Sequence, residues 1–441
     1  MFKAGPAFLL AGAFMLLSPL SMATDLAASG PAKYVRLGTA ILLVVFGAVA
    51  RPSIRLGAAS TALLVFVAFY VAASLWSQDV VWALFYKGMF AVSVLGGVLL
   101  GLSPRNEEQL KSGLRFLSII AGFAGFLTFA QYLKNPVVAE TARFTVFGLN
   151  ANIVGMTAAA LLLFCFFLAL QERSAAWKWF SWTNVAILGI VIIATGSRGS
   201  LGMAVIGCAI FAAPLVRRPA ALLLTCMLLT GFFYAVVTTL DFHTVDRLAD
   251  WNSENRDGVW RAALRQFAAS PVIGQGWLFT SRHATANHMS IYLQTLAEAG
   301  ICGAVLLAVC LATIAAGAQR MRRSLFGRAV HTRWYGYFAV GLIASVLAHG
   351  IVESGTFLGS TLNSLLLGFG VGLIDRLPEL ATQELPIFTR PVTQRESISW
   401  RSPFDANRLA RSTGHDSDDL AALPRPLRGR SFLRAPRCTL P

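Results

Sequence analysis

The sequence predicts an all-α, polytopic integral membrane protein of about 12 transmembrane helices with one large external loop. Three observations predict it. Of the 441 residues, 56% belong to the hydrophobic set and only 13% are charged, whereas soluble domains carry roughly 25% charge. Apolar runs of about 20 residues recur from end to end, and the mean hydropathy is +0.63. The runs are continuous, as in Ala158 to Leu170, which excludes the alternating pattern of a membrane β-barrel. A soluble enzyme, a disordered chain, a collagen-like repeat and a disulfide-stapled scaffold are excluded on the same grounds.

Lys3 precedes the first apolar run, 6–23, which is read as a retained helix and not as a cleaved secretory signal. Arg51 and Arg55 separate the runs 37–50 and 57–76, and the next two, 83–102 and 114–131, flank Arg105, Lys111 and Arg115. Arg173 and Lys178 lie between 151–170 and 180–195. The turn Gly196-Ser197-Arg198-Gly199-Ser200 separates 180–195 from 201–216, and Arg217 and Arg218 lead into 220–240. Residues 241–289 then form a long connector before the run 290–318. Arg320, Arg322, Arg323, Arg328 and Arg333 precede 337–354, and 361–375 closes the series.

The basic connectors are alternate ones, so they share a side, which the positive-inside rule assigns to the cytoplasm together with both termini. The turn at 196–200 and the 241–289 loop therefore face outside. Residues 1–376 form the expected transmembrane domain. From 377 to 441 the composition shifts to Pro, Ser, Asp and Arg, ending with Arg425, Arg428, Arg430, Arg434 and Arg437, the pattern of a disordered basic cytoplasmic tail drawn to anionic lipid. The net charge of +16 is thus a matter of sidedness and membrane lipids; no nucleic acid is expected.

Cys165, Cys208, Cys226, Cys302 and Cys310 lie in apolar runs and Cys438 in the tail, so they read as space-filling thiols. No Cys-x-x-Cys or His-Glu-x-x-His spacing suggests a metal, and no Gly-x-Ser-x-Gly or nucleotide-binding loop is present. No cofactor is expected.

Connectors in compact bundles are usually a few residues long, so a loop spanning 241–289 suggests function. Ser253 or Asn255 can cap a helix from Arg256 to Phe267 that Pro271 and Gly274 end. Along it Arg256 and Trp260 share one stripe, and Arg261 and Arg265 form a separate basic row. Arg261 and Arg265, like Arg282, taken alone read first as a solvated or lipid-headgroup face, and Arg256 differs by what surrounds it. Trp251, Trp260, Trp277 and Tyr292 suit the interface, where sugar rings also stack. Lys87, near the outer end of its span, reads as a snorkelling residue. Glu353, inside a span, needs a partner or water.

Taken in order, a Ser-Arg-Gly turn, a loop with Arg256-x-x-x-Trp260, Pro271 followed by Gly274-x-Gly276, His288 before Tyr292-Leu293-x-x-Leu296-x-Glu298-x-Gly300, and a late His349 and Glu353 resemble the O-antigen ligase and Wzy-type polysaccharide polymerase superfamily. The resemblance covers roughly residues 30–376. It departs in having Asn287-His288 with three residues before Tyr292, where the family commonly has His-Asn close to Tyr-Leu; His283 is the substitute.

The resemblance implies a GT-C-like architecture in the bacterial inner membrane and a metal-independent, inverting glycosyltransferase acting on the periplasmic side. The donor it implies is a glycan on undecaprenyl diphosphate; the acceptor is a hydroxyl of a second glycan or of lipid A core. Polysaccharide export proteins are the partners it allows. Arg198 and Arg256 would present planar donor forks to the leaving diphosphate, and His288, with an ordinary pKa of about 6.5, would take the acceptor proton. Glu353 would orient these groups or itself act as the base, with Arg261, Arg265, Trp260 and Tyr292 binding substrate. Two other readings stand beside it: a transporter or flippase for a lipid-linked glycan, whose charges should sit at the bilayer midplane, and a non-catalytic scaffold of an export complex.

Overall fold

The computed structural model describes residues 5–20, 38–45, 55–134, 144–146, 150–217, 256–276, 290–326, 330–353 and 362–383. These residues are helical or irregular, with no strand among them. The helices are α1 (Pro6–Leu20), α2 (Ala58–Ala72, continued by the 3-10 turn Ala73–Trp76), α3 (Val80–Leu102), α4 (Glu107–Lys134), α5 (Ala151–Gln171), α6 (Ala175–Thr195), α7 (Arg198–Ala212), α8 (Arg256–Ala269), α9 (Ile291–Leu325), α10 (Val330–Val352) and α11 (Leu362–Gln383). A further helical stretch covers 38–45. All belong to one unit, Met1–Leu385. The tail beyond residue 383 and the expected span at 220–240 lie outside the described residues.

Eight helices among the described residues are long and apolar enough to cross a membrane, from Ala58–Trp76 to Arg333–Val352. The last helix continues past the expected end at 375, because Leu377, Leu380 and Ala381 keep a buried face through Pro378. The span expected at 290–318 is one helix by hydropathy but carries a break: Gly300 has φ 62° and ψ −161° inside α9.

Apolarity on all sides makes α5 the central helix; its side chains from Ala158 to Ala169 are buried without exception. Phe164 and Phe167 of α5 meet Phe211 of α7, Phe338 of α10 and Phe369 of α11, with ring centroids as close as 4.5 Å. The closest helix pair is α3 with α11. Gly97 and Gly101 lie against the backbone of Leu365 and Phe369, and Gly368 and Gly372 against that of Val94 and Val98. Small residues four apart on both helices permit this approach, the usual way membrane helices gain packing where lipid is as apolar as leucine.

The helix ends are fixed locally. Asp79 caps α3 by accepting from Trp82 N at 3.2 Å, Asn150 caps α5 by accepting from Asn152 N at 2.9 Å, and Asp375 of α11 accepts from Ser60 N at the start of α2 at 2.8 Å, each satisfying a donor that the helix leaves open. Glu107 and Glu108 open α4 and Lys134 closes it, matching the helix dipole.

Among the described residues, Lys111, Arg115 and Glu172 gather at one end of the bundle with Arg376 and the Pro104 carbonyl. The buried Glu172 accepts from Arg115 Nε at 2.6 Å and Nη2 at 2.7 Å, with Lys111 Nζ at 3.6 Å, tying α4 to the connector after α5. Burial pushes the Glu172 pKa up, but the Arg115 bonds and the two positive charges outweigh it and hold the carboxyl below its ordinary value. Arg376, buried in α11, donates through Nε to the Pro104 carbonyl at 2.9 Å and pairs with Glu379. The 196–200 turn and the described part of the long loop lie at the other end.

Candidate functional site

The α6–α7 turn follows from its sequence. Gly196 ends α6 in the left-handed region at φ 58°, its N–H bonded to Ile193 O. Ser197 precedes α7 in extended conformation, and Arg198 is its first residue. Thr195, Ser197 and Ser200 are buried, with Ser197 Oγ 2.8 Å from Ser200 Oγ. Gly155 of α5 leaves the room these hydroxyls occupy: a Cβ there would lie 2.7 Å from Thr195 Oγ1 and 2.9 Å from Ser200 Oγ. Arg198 itself is half-buried.

Three further helix ends converge on this turn. Gly199 abuts the end of α10, where a Cβ would meet Val352 at 2.9 Å, His349 at 3.4 Å and Glu353 at 3.5 Å. Asn152, in the first turn of α5, donates through Nδ2 to Glu353 Oε1 at 2.7 Å. At the start of α9, Ile291 packs on Gly350 and Tyr292 donates its hydroxyl to Leu347 O at 3.2 Å. The structure thus sets the Arg198 turn beside His349 and Glu353, with Tyr292 against the same end of α10, although Arg198 and Tyr292 are 94 positions apart and on either side of the long loop. His288 lies outside the described residues, as do His283, Trp251 and Trp277; three residues after His288, Ile291 stands against Gly350.

The predicted loop helix is α8, and it begins at Arg256. The Arg256 side chain is outside the described residues. Trp260 is half-buried and Ala263 buried, whereas Arg261, Leu264 and Arg265 are exposed. The structure therefore leaves the basic row Arg261 and Arg265 on the surface of the loop helix and does not enclose it in the cluster around Glu353.

After α8 the chain docks into the break of α9. Gln275 N and Gly276 N donate to Ala297 O and Glu298 O, both at 2.9 Å; Ile301 N and Cys302 N donate to Pro271 O at 2.8 Å and Val272 O at 3.2 Å. Only glycine suits the three positions with positive φ here, Gly274, Gly276 and Gly300, and a Cβ at each would strike backbone. Trp76 adds a bond from Nε1 to Ile273 O at 3.1 Å.

One sequence expectation is overturned. Lys87 does not snorkel: it is 1% exposed and its Nζ lies 3.1 Å from Glu298 Oε2, a carboxylate also 1% exposed. Tyr70 donates its hydroxyl to the same oxygen at 2.6 Å. A buried anion on α9 attracts the cation inward, so the free energy of pairing prevails over hydration at the interface. Tyr70, Gln294 and Asn152 escaped the sequence reading altogether. The available signal was that Lys87 and Glu298, opposite charges in two apolar runs, each needed a partner.

Among curated proteins nothing matches the chain. Residues 183–308 match the family model described as O-antigen ligase. That segment takes in most of α6, the Arg198 turn, α7, α8 and α9 past its break; Glu353, His349 and Lys87 join it only in space. Over this segment, which is less than a third of the chain, the protein is similar to O-antigen ligases.

Proposed function

We propose that the chain transfers a glycan from a polyprenyl diphosphate, undecaprenyl diphosphate in a bacterial inner membrane, to an acceptor hydroxyl at the loop end of the bundle, which faces the periplasm. The observation that carries this reading is the seating of the Arg198 turn against the end of α10, next to Glu353 and to the start of α9. It supports a site in which Arg198, Glu353 and His288 act together at one end of the bundle.

In the proposed step the acceptor oxygen attacks the anomeric carbon from the side opposite the diphosphate. The new C–O bond forms as the bond to the phosphate oxygen breaks, and its electron pair leaves with the diphosphate. Arg198 and Arg256 meet the growing negative charge with planar forks, the role a metal fills elsewhere. The acceptor proton passes to His288, with Glu353 as the other candidate base. A base with an ordinary histidine pKa gives a turnover limb rising near pH 6.5, and a carboxylate one about two units lower. Single displacement inverts the anomeric centre. A growing glycan as acceptor makes the protein a polymerase, and lipid A core makes it a ligase.

The break in α9 is a feature that a transporter would share. Its position argues otherwise. Residues 301–318, the apolar part after the break, rise about 27 Å as a helix, nearly the whole of a hydrocarbon core of about 30 Å, so the break and its charges fall toward the loop end and not at mid-depth.

The test is exchange of guanidinium for ammonium. Arg198→Lys and Arg256→Lys keep the charge but lose the bidentate fork, so each should cut turnover by at least about tenfold in purified protein supplied with undecaprenyl-diphosphate oligosaccharide and acceptor. Wild-type rates in both variants would sink the two-arginine mechanism.

A further inference from the structure

Four buried polar side chains from three helices meet beside the α9 break. Glu298 Oε2 accepts from Tyr70 of α2 at 2.6 Å and faces Lys87 Nζ of α3 at 3.1 Å; Oε1 accepts from Gln294 Nε2, one turn earlier on α9, at 2.6 Å. Lys87 Nζ also stands 4.1 Å from the centre of the Tyr70 ring. None of the four is more than 3% exposed. The backbone of the same glutamate takes part in the splice with the loop. In an unbroken helix Ala297 O and Glu298 O would accept from Ile301 N and Cys302 N. Here they accept from Gln275 N and Gly276 N instead, and the freed donors turn to Pro271 O and Val272 O.

We infer that Lys87 and Glu298 are positioning residues for the transfer reaction: their ion pair fixes the rotation and register of α9 at the one place where the loop segment 271–276 is spliced into it, and through that splice the placement of α8 and of Arg256 at its start. The inference rests on the transfer reading of the site. A buried pair adds little net stability over an apolar pair of similar volume, so its value lies in register. A slip of α9 by one residue turns it by about 100° and carries Glu298 away from both Lys87 and Tyr70. Apolar side chains would tolerate such a slip far better. The glycines at 274, 276 and 300 set which backbone groups can splice, and the side-chain cluster holds the rotation of α9 against α2 and α3 that keeps those groups opposed.

The variants are Lys87→Met, Glu298→Gln and the neutral double variant Lys87→Met/Glu298→Gln. The first leaves a buried carboxylate without its cation. The second keeps an oxygen for the Tyr70 hydroxyl and is the milder change, which keeps the test open should Lys87→Met fail to fold. The double variant contains neither buried charge but retains that acceptor. Two readouts are taken on full-length protein in nanodiscs: hydrogen exchange of the Gln275 and Gly276 amides, and kcat and KM for transfer from an undecaprenyl-diphosphate oligosaccharide.

Each single variant should exchange these amides at least about tenfold faster, as for loss of one interaction with a charged group, with a parallel fall in kcat and an unchanged donor KM. Amides of α6, remote from the cluster, should keep their protection. The double variant should recover both protection and most of kcat, which a residue acting on the reactants could not do. Unchanged protection in the single variants overturns the register lock. Protection restored without turnover in the double variant overturns the positioning role and makes Lys87 a participant in the chemistry. Wild-type protein that turns over nothing, while protection follows the predicted pattern, sinks the transfer reading and leaves the lock standing.

Discussion

Replacing Gly97 by alanine perturbs the closest contact in the bundle. A Cβ at Gly97 would fall on the Leu365 carbonyl oxygen, 2.9 Å from Phe369 N and 3.0 Å from the Leu365 carbonyl carbon. All three are backbone atoms of α11, so no side chain can rotate away. The helices must part by roughly 1 Å, a gap that forfeits a quarter to a half of the attraction at each contact along the crossing. Overpacking of this kind costs about 1–3 kcal/mol. The same exchange at Gly88, nine residues earlier on α3, meets nothing within 4 Å and should gain about 0.5–1 kcal/mol, because glycine weakens a helix interior. One substitution at two positions of one helix should therefore change stability in opposite directions. The assay is the temperature at which each purified variant ceases to be monodisperse in one detergent. Gly97→Ala should aggregate several degrees below wild type and Gly88→Ala no lower than wild type. Equal stability of Gly97→Ala and wild type, or loss in both variants, would refute the packing argument.

At the basic end, Glu172→Gln removes a carboxylate that serves Arg115 and Lys111. Those partners are 28% and 34% exposed and can rehydrate, so the loss at neutral pH should be about 1–2 kcal/mol. Because the folded pKa of Glu172 lies below the unfolded value of about 4.3, its stabilisation is complete above that value and is lost as pH falls through the folded pKa. Melting wild type and variant from pH 7 downward should show the gap closing only in acid; a gap that is constant with pH contradicts it. Gly300→Ala combines a backbone region nearly reserved for glycine with a Cβ 2.5 Å from Gly274 N and should cost about 3 kcal/mol or more, read as faster proteolysis of the 241–289 loop; wild-type resistance would argue against the splice. Asn152→Ala frees Glu353 from its bond at 2.7 Å and should lower turnover about tenfold without lowering the melting temperature. Unchanged turnover there, with loss in Glu353→Ala, would remove Asn152 from the site.

The helices were legible because lipid forces apolar runs to be helical, and the loop helix because capping residues, a basic row and Pro271 bracket it. The Ser-Arg-Gly turn and the late Glu353 were legible as motif letters, but their meeting was not: Gly199 touches α10 only once α5, α6, α7 and α10 have packed. Lys87 was misread for a related reason. A lysine near a helix end snorkels unless an anion is buried beside it, and Glu298 lies more than 200 positions away on another helix. The break at Gly300 was hidden because Ile291 to Leu325 has helical hydropathy throughout; only the glycines at 274, 276 and 300, read together, hint that two segments exchange backbone bonds. His288 and the side chain of Arg256 lie outside the described residues, so their places in the site rest on the mechanism proposed above.

The most direct measurement supplies purified protein with an undecaprenyl-diphosphate-linked oligosaccharide, chelator and candidate acceptors, and follows free lipid diphosphate and product size in wild type and His288→Ala. Release should require an acceptor and His288 and be indifferent to chelator, with a ladder of products for a polymerase and a single addition for a ligase. No release with any acceptor, together with passage of the intact lipid-linked glycan across a vesicle bilayer, would contradict the transfer reading and make the protein a transporter.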